Sequence, residues 1–91
     1  MRPSRNQPLI DALGEELRTR RKELELTQED LAGRCEIDRP FISLMEVGRK
    51  QPTISVMYRL AAALELRFSE FCERIDARYR RVLRKAAKGK G

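Results

Sequence analysis

Residues 27–48, TQEDLAGRCEIDRPFISLMEVG, decide how this chain folds. They read as two short helices joined by a tight bend. Thr27 can cap the first helix with its hydroxyl. Asp30, three residues on, completes a hydroxyl-x-x-acid start signal just ahead of Leu31 and Ala32. Leu31, Ala32 and Cys35 recur at helical spacing, so one face is apolar. Cys35-Glu36-Ile37 makes the bend. Asp38 is placed to cap the second helix, and Pro40 falls in its first turn, where a missing N–H costs nothing. Ile42 and Met45 point inward. Gly48 stops the helix as a left-handed C-terminal residue does. Helices this short bury little by themselves. They act as a rigid bracket that presents the outer face of the second helix, which carries Arg39, Pro40, Ser43 and Leu44.

The bracket and its surroundings resemble the Cro/phage-repressor (Xre-type) helix-turn-helix family. The resemblance is carried by Thr27-Gln28-Glu29-Asp30-Leu31-Ala32, Ile42-Ser43, Glu46, Gly48-Arg49-Lys50, Pro52 and Leu60-Ala61-x-Ala63-Leu64, and it runs from about Leu17 to Phe71. It implies an all-α fold: a five-helix lambda-repressor-like DNA-binding domain, here with an extended C-terminal helix. The expected divisions are a flexible N-terminal arm over 1–8, the helix-turn-helix domain over 9–73, and a basic helix extension and tail over 74–91.

Composition sets the limits. Ninety-one residues make one domain, without room for a separate ligand-sensing module. No apolar run approaches the ~20 residues a membrane span needs, and no apolar h-region follows the basic N-terminus, so a cytoplasmic protein is expected. Histidine is absent, and the two cysteines, Cys35 and Cys72, lie far apart. That excludes His-ligated zinc and His-based acid/base or nucleophilic schemes, and both thiols read as small core residues. With no paired carboxylates in a cleft and no Gly-rich phosphate loop, no enzyme, metal site or cofactor is expected. The net charge of +6 is unevenly spread: residues 74–91 hold eight Lys/Arg and one acid, giving +7, while 1–73 hold 12 basic and 13 acidic residues, giving −1. DNA contact by the domain must therefore rely on local clusters of cations.

Along the chain, Met1 to Pro8 reads as an irregular arm, either without fixed structure or following a minor groove with Arg2 and Arg5. The first helix spans about Leu9–Glu25, with Leu13, Leu17 and Leu24, and Ile10 at its start, facing inward and Arg18, Arg20, Arg21 and Lys22 on its second half. By resemblance, this helix crosses the DNA backbone, with Arg18 and Arg21 near phosphates. Arg21 also takes the place of an arginine that clamps the glutamate late in the reading helix, here Glu46. The second helix, about Gln28–Glu36, begins with Gln28 at a positive dipole end suited to phosphate, although capping geometry alone also explains a glutamine there.

The third helix, about Arg39–Val47, is the reader. Arg39 can contact guanine O6/N7 with two hydrogen bonds, worth about 1–3 kcal/mol of discrimination. Ser43 can donate to a base or a phosphate. Pro40 and Leu44 depart from the polar residues usual in the family, and would meet thymine methyls or shield the contact from water. Phe41 packs at the rim or touches a base. Arg49 and Lys50 then sit in a loop where the family grips phosphate. Thr53 caps the fourth helix, Ile54–Leu64, with Ser55 adding a hydroxyl near its start. Ile54, Met57, Leu60, Ala61 and Leu64 form its inward stripe.

Ser69 is expected to cap a fifth helix that runs to about Lys88, ~29 Å long at 1.5 Å per residue. Phe71, Ile75, Tyr79, Val82 and Ala86 fall on one narrow stripe, which Leu83 widens. The extension has no further chain to pack upon, so Phe71, Ile75, Tyr79 and Val82 are expected to meet a two-fold mate. The basic residues around its end read as favourable charge at a helix C-terminus, or as a second phosphate grip. The expected function is that of a sequence-specific regulator of transcription, binding a palindromic double-stranded DNA operator as a homodimer. The alternative is an antitoxin or other interaction module, whose C-terminal helix binds a partner protein. Among small regulators of this kind, phage repressors and restriction-modification controllers are the leading comparison.

Overall fold

The computed structural model describes residues 5–89, which form five helices. These are α1 (Gln7–Glu23), α2 (Gln28–Cys35), α3 (Arg39–Glu46), α4 (Ile54–Ala63) and α5 (Phe68–Gly89). Arg2 of the expected arm lies outside the described residues.

The arm is shorter than its composition suggests. Asn6 caps α1 by accepting the Leu9 N–H, and Pro8 is tolerated in the first turn, so Gln7 and Pro8 belong to the helix. At the other end α1 stops at Glu23, two residues early, because Glu25 turns left-handed (φ 57°) and the Leu26 N–H reaches back to the Arg21 carbonyl. The same six-to-one bond recurs from Ile37 to Ala32, from Arg49 to Leu44 and from Leu66 to Ala61. Glu36, Gly48 and Glu65 are the left-handed residues inside those three turns. Gly48 alone has the residue type that announces such a turn. The other three place a glutamate there, followed by Leu26, Ile37 and Leu66, of which Ile37 and Leu66 pack on the core.

The core draws on every helix. Leu17, Leu31, Ile42, Met45, Leu60, Leu64 and Phe71 are fully buried. Ile54 does not share the inward stripe of α4. As the first residue of its helix it points to solvent, 72% exposed, and packing begins with Val56 and Met57. Nor does Ser69 cap α5, which starts one residue earlier, at Phe68. There the Glu70 carboxylate takes the Arg67 N–H.

The larger correction concerns the stripe on α5. Phe71 and Ile75 are enclosed in the subunit's own core, so they are not available to a two-fold mate. The inner half of α5 packs antiparallel on α1. Arg74 and Arg78 both reach the buried Glu16 carboxylate, at 2.6 and 2.8 Å, and the Tyr79 hydroxyl accepts from Asn6. Arg74 also bonds Glu23, whose carboxyl is held below its ordinary pKa by Arg20 and Arg74. The extension therefore does have chain to pack upon as far as Tyr79. Residues 80–88 overhang the body and are exposed.

On the other side of α1, Gly14 lies against the end of α3. A Cβ there would run into the Met45 and Glu46 carbonyls. Gly14→Ala should therefore destabilise the fold by about 1–3 kcal/mol through overpacking. Thermal denaturation followed by circular dichroism would register this as a lowered midpoint with unchanged helix content at low temperature.

Candidate nucleic-acid interface

The bracket is built from local bonds. The Thr27 hydroxyl accepts the Asp30 N–H at 3.0 Å, and the Asp30 carboxylate accepts the Thr27 N–H at 2.8 Å. This reciprocal cap lowers the pKa of Asp30, chiefly through the Thr27 backbone bond. At the bend, left-handed Glu36 lets Ile37 fold back onto the core. Asp38 does precede α3, but its carboxylate makes no cap bond. Pro40 has no N–H to offer, and the Phe41 N–H is already held by the Asp38 backbone carbonyl at 3.0 Å.

Helix α3 is then fixed from behind. Ile42 and Met45 are fully buried, so the opposite face turns outward. Arg39 and Pro40 are exposed, Ser43 and Leu44 half-buried, and Phe41 packs at the rim of the core. Val47 extends the Arg39–Ser43 row by another turn and is 65% exposed. Its four-residue spacing from Ser43 could have marked it in the sequence. Arg39, Pro40, Phe41 and Leu44 line a shallow hollow of about 430 Å³, with Asp38 and Lys50 at its edges.

The last residue of α3 anchors it. Glu46 receives Arg21 Nε at 2.7 Å and Nη2 at 3.0 Å, and the Gln28 amide at 3.1 Å. Arg21 Nη1 donates to the Leu26 carbonyl. Arg21 is only 9% exposed, and its hydrogen bond to Glu46 raises its pKa against the opposing effect of burial. The structure thus puts Arg21 and Gln28 into the clamp behind α3, with Glu46 as their shared acceptor. Arg18, Lys22 and Val47 border the surface hollow over that clamp, and Arg39 borders a second one with Gln28. Arg18 and Lys50 thus flank the outer face of α3, while exposed Arg49 and Ser55 follow it in the chain. The Arg5 guanidinium and the Gln7 amide both donate to the Gly48 carbonyl, which ties the start of α1 to the end of α3. Cys35 is buried, donates to the Leu31 carbonyl and has its pKa raised by burial, so it is a core thiol. Among the described residues no group of side chains is suited to hold a metal ion, and no helix is long and apolar enough to cross a membrane.

Residues 17–71 match the helix-turn-helix family across this bracket and the helices that hold it. The chain belongs to the helix-turn-helix family. It is a DNA-binding transcriptional regulator by that membership, and not an enzyme. An uncharacterized HTH-type transcriptional regulator of Methanothermobacter thermautotrophicus is 46% identical over 48 residues, which is 53% of this chain and 70% of that protein. Among solved structures, the restriction-modification controller protein C.Esp1396I, as a tetramer in complex with its natural 35 base-pair operator, is 28% identical with a TM-score of 0.73. That match covers 78% of this chain and 93% of the controller. The clp gene regulator ClgR from Corynebacterium glutamicum shares the fold over 97% of this chain and 92% of its own, at a TM-score of 0.83 and 20% identity.

In this helix-turn-helix domain Glu46 is the acceptor on which three donors converge. Glu46→Ala should leave a buried guanidinium facing an empty site and cost about 3 kcal/mol or more. Urea denaturation would show it, with Glu46→Gln losing less because it keeps the shape and one acceptor.

Proposed function

We propose that this protein is a sequence-specific regulator that binds a palindromic double-stranded DNA operator as a homodimer in the cytoplasm. One observation carries the reading. Helix α3 buries Ile42 and Met45 completely, yet leaves Arg39 and Pro40 exposed and Ser43 and Leu44 accessible. A helix so held can enter a major groove N-terminus first. Arg39 then meets guanine, Ser43 donates to a base or phosphate, and Pro40 and Leu44 supply apolar contact. Arg18, Arg49, Lys50 and Ser55 hold phosphates on either side. Gln28 supports them from its place on Glu46, as does Arg21, with any phosphate contact secondary to the clamp.

In the paired protein, two readers stand about 34 Å apart on one face of DNA. The C.Esp1396I tetramer on its operator supports an oligomer, and it favours a controller-type regulator within this class. With Phe71 and Ile75 enclosed, the two-fold contact falls to Val82, Leu83 and the accessible edge of Tyr79. The antitoxin reading draws less support, because the inner half of α5 is already occupied by α1.

Selection of bound DNA from a random pool should return an inverted repeat. Arg39→Ala should relax the choice at one base pair and cost about 1–3 kcal/mol there. Arg49→Ala should instead weaken all sites alike and lower the salt slope by about one. A pool that shows no enrichment with folded protein would sink the proposal.

A further inference from the structure

The strongest charge in the molecule sits outside the interface described so far. At 3.6 residues per turn, Arg80, Arg81, Arg84, Lys85 and Lys88 fall on one half of the overhanging part of α5. Tyr79, Val82, Leu83 and Ala86 occupy the other half. All five cations are exposed. A helix that only needed a favourable C-terminus would carry cations in its last turn, where the dipole acts. Here they begin more than two turns earlier and keep to one side.

Where this basic face lies follows from contacts already given. Helix α5 runs antiparallel to α1, with Arg74 beside Glu23 and Glu16, Arg78 beside Glu16, and Tyr79 beside Asn6. Tyr79 thus meets the start of α1, which Arg5 and Gln7 bond to the Gly48 carbonyl. On the basic side, Arg80 pairs with Asp76 one turn back, and Arg81 and Lys85 border a surface hollow with Glu15 of α1. The Glu16 latch, with two guanidinium groups on one buried carboxylate, fixes the direction in which the overhang departs.

We infer that the basic face of α5 beyond Tyr79 is a second grip on the DNA backbone, separate from the phosphate contacts of the Arg49–Lys50 loop. The inference rests on the DNA-binding reading above. Its contacts are with phosphates, so it adds affinity without altering the sequence chosen. It explains how a domain whose first 73 residues carry a net charge of −1 can hold a polyanion.

The test replaces Arg81, Arg84, Lys85 and Lys88 together by glutamine, a good helix former that leaves the apolar side of α5 untouched. Binding to the selected operator is measured by fluorescence anisotropy from low to high salt, and oligomeric state by sedimentation. The expected result is a salt slope shallower by at least about two, since each lost phosphate contact removes about 0.9. Affinity at low salt should fall at least tenfold, with the selected sequence and the oligomeric state unchanged. A slope equal to that of the parent protein overturns the inference and leaves the DNA-binding reading intact. A changed oligomeric state also overturns it, because the basic face would then belong to a protein interface. If the parent protein itself retards no DNA, the reading beneath it has failed and this inference falls with it.

Discussion

One carboxylate holds this molecule to its purpose. Glu46 ends α3, and three donors from two other helices converge on it: two from Arg21 and one from Gln28. Helix α3 has eight residues, about 12 Å of rise, too short to persist alone. It stands because its C-terminal residue is gripped by an ion pair out of water, where the attraction is screened little. Arg21 lies two turns along α1 from Gly14, on the same face. Gly14 lets the α3 backbone come close enough for that guanidinium to reach. Removing either the close approach or the ion pair would free the end of α3 and blur the position of Arg39 at its start.

Stiffness at the corners complements the clamp. Four consecutive helices end in the same six-to-one bond, and three of those turns force a glutamate into a left-handed conformation. Such a conformation costs roughly 1–2 kcal/mol in an L-residue. At Glu36 and Glu65 it is offset by the apolar residue that follows, Ile37 or Leu66, which folds onto the core. Two of the carbonyls at the end of α4 are also capped from afar, Leu64 by Arg20 and Ala63 by Arg34. Cations there satisfy carbonyls that the helix itself leaves open. The bracket is thus braced by backbone geometry at its bends and by side chains at its ends.

Helix α5 divides in two, although its apolar stripe is continuous. Up to Tyr79 it belongs to the body, latched by Arg74 and Arg78 to Glu16. Arg74 has its pKa raised: burial opposes its charge, and the Glu16 and Glu23 carboxylates together more than offset that. Beyond Tyr79 the helix overhangs, with an apolar half and a basic half. A carboxylate buried inside the first turns of contact therefore sets where a strongly charged surface is carried.

Much of this was legible in residue order. The capping box at Thr27–Asp30, the inward Ile42 and Met45, the left-handed Gly48 and the cap at Thr53 are local features, set within three or four residues. Local signals therefore suffice for them. The Arg21–Glu46 pair could be expected from resemblance, though not its geometry. Glu16 carried no local mark, because a glutamate at that spacing reads as surface until two arginines from about 60 residues away neutralise it. The glutamates at 25, 36 and 65 were equally silent, since nothing in that residue type asks for a positive φ. The stripe from Phe71 to Val82 told of an apolar face but not of what covers it. Sequence alone determined that the chain makes five helices around a braced pair of short ones. Tertiary structure decided which charges are buried as locks and which are left to meet a partner, because the fate of a charge depends on what long-range folding brings beside it.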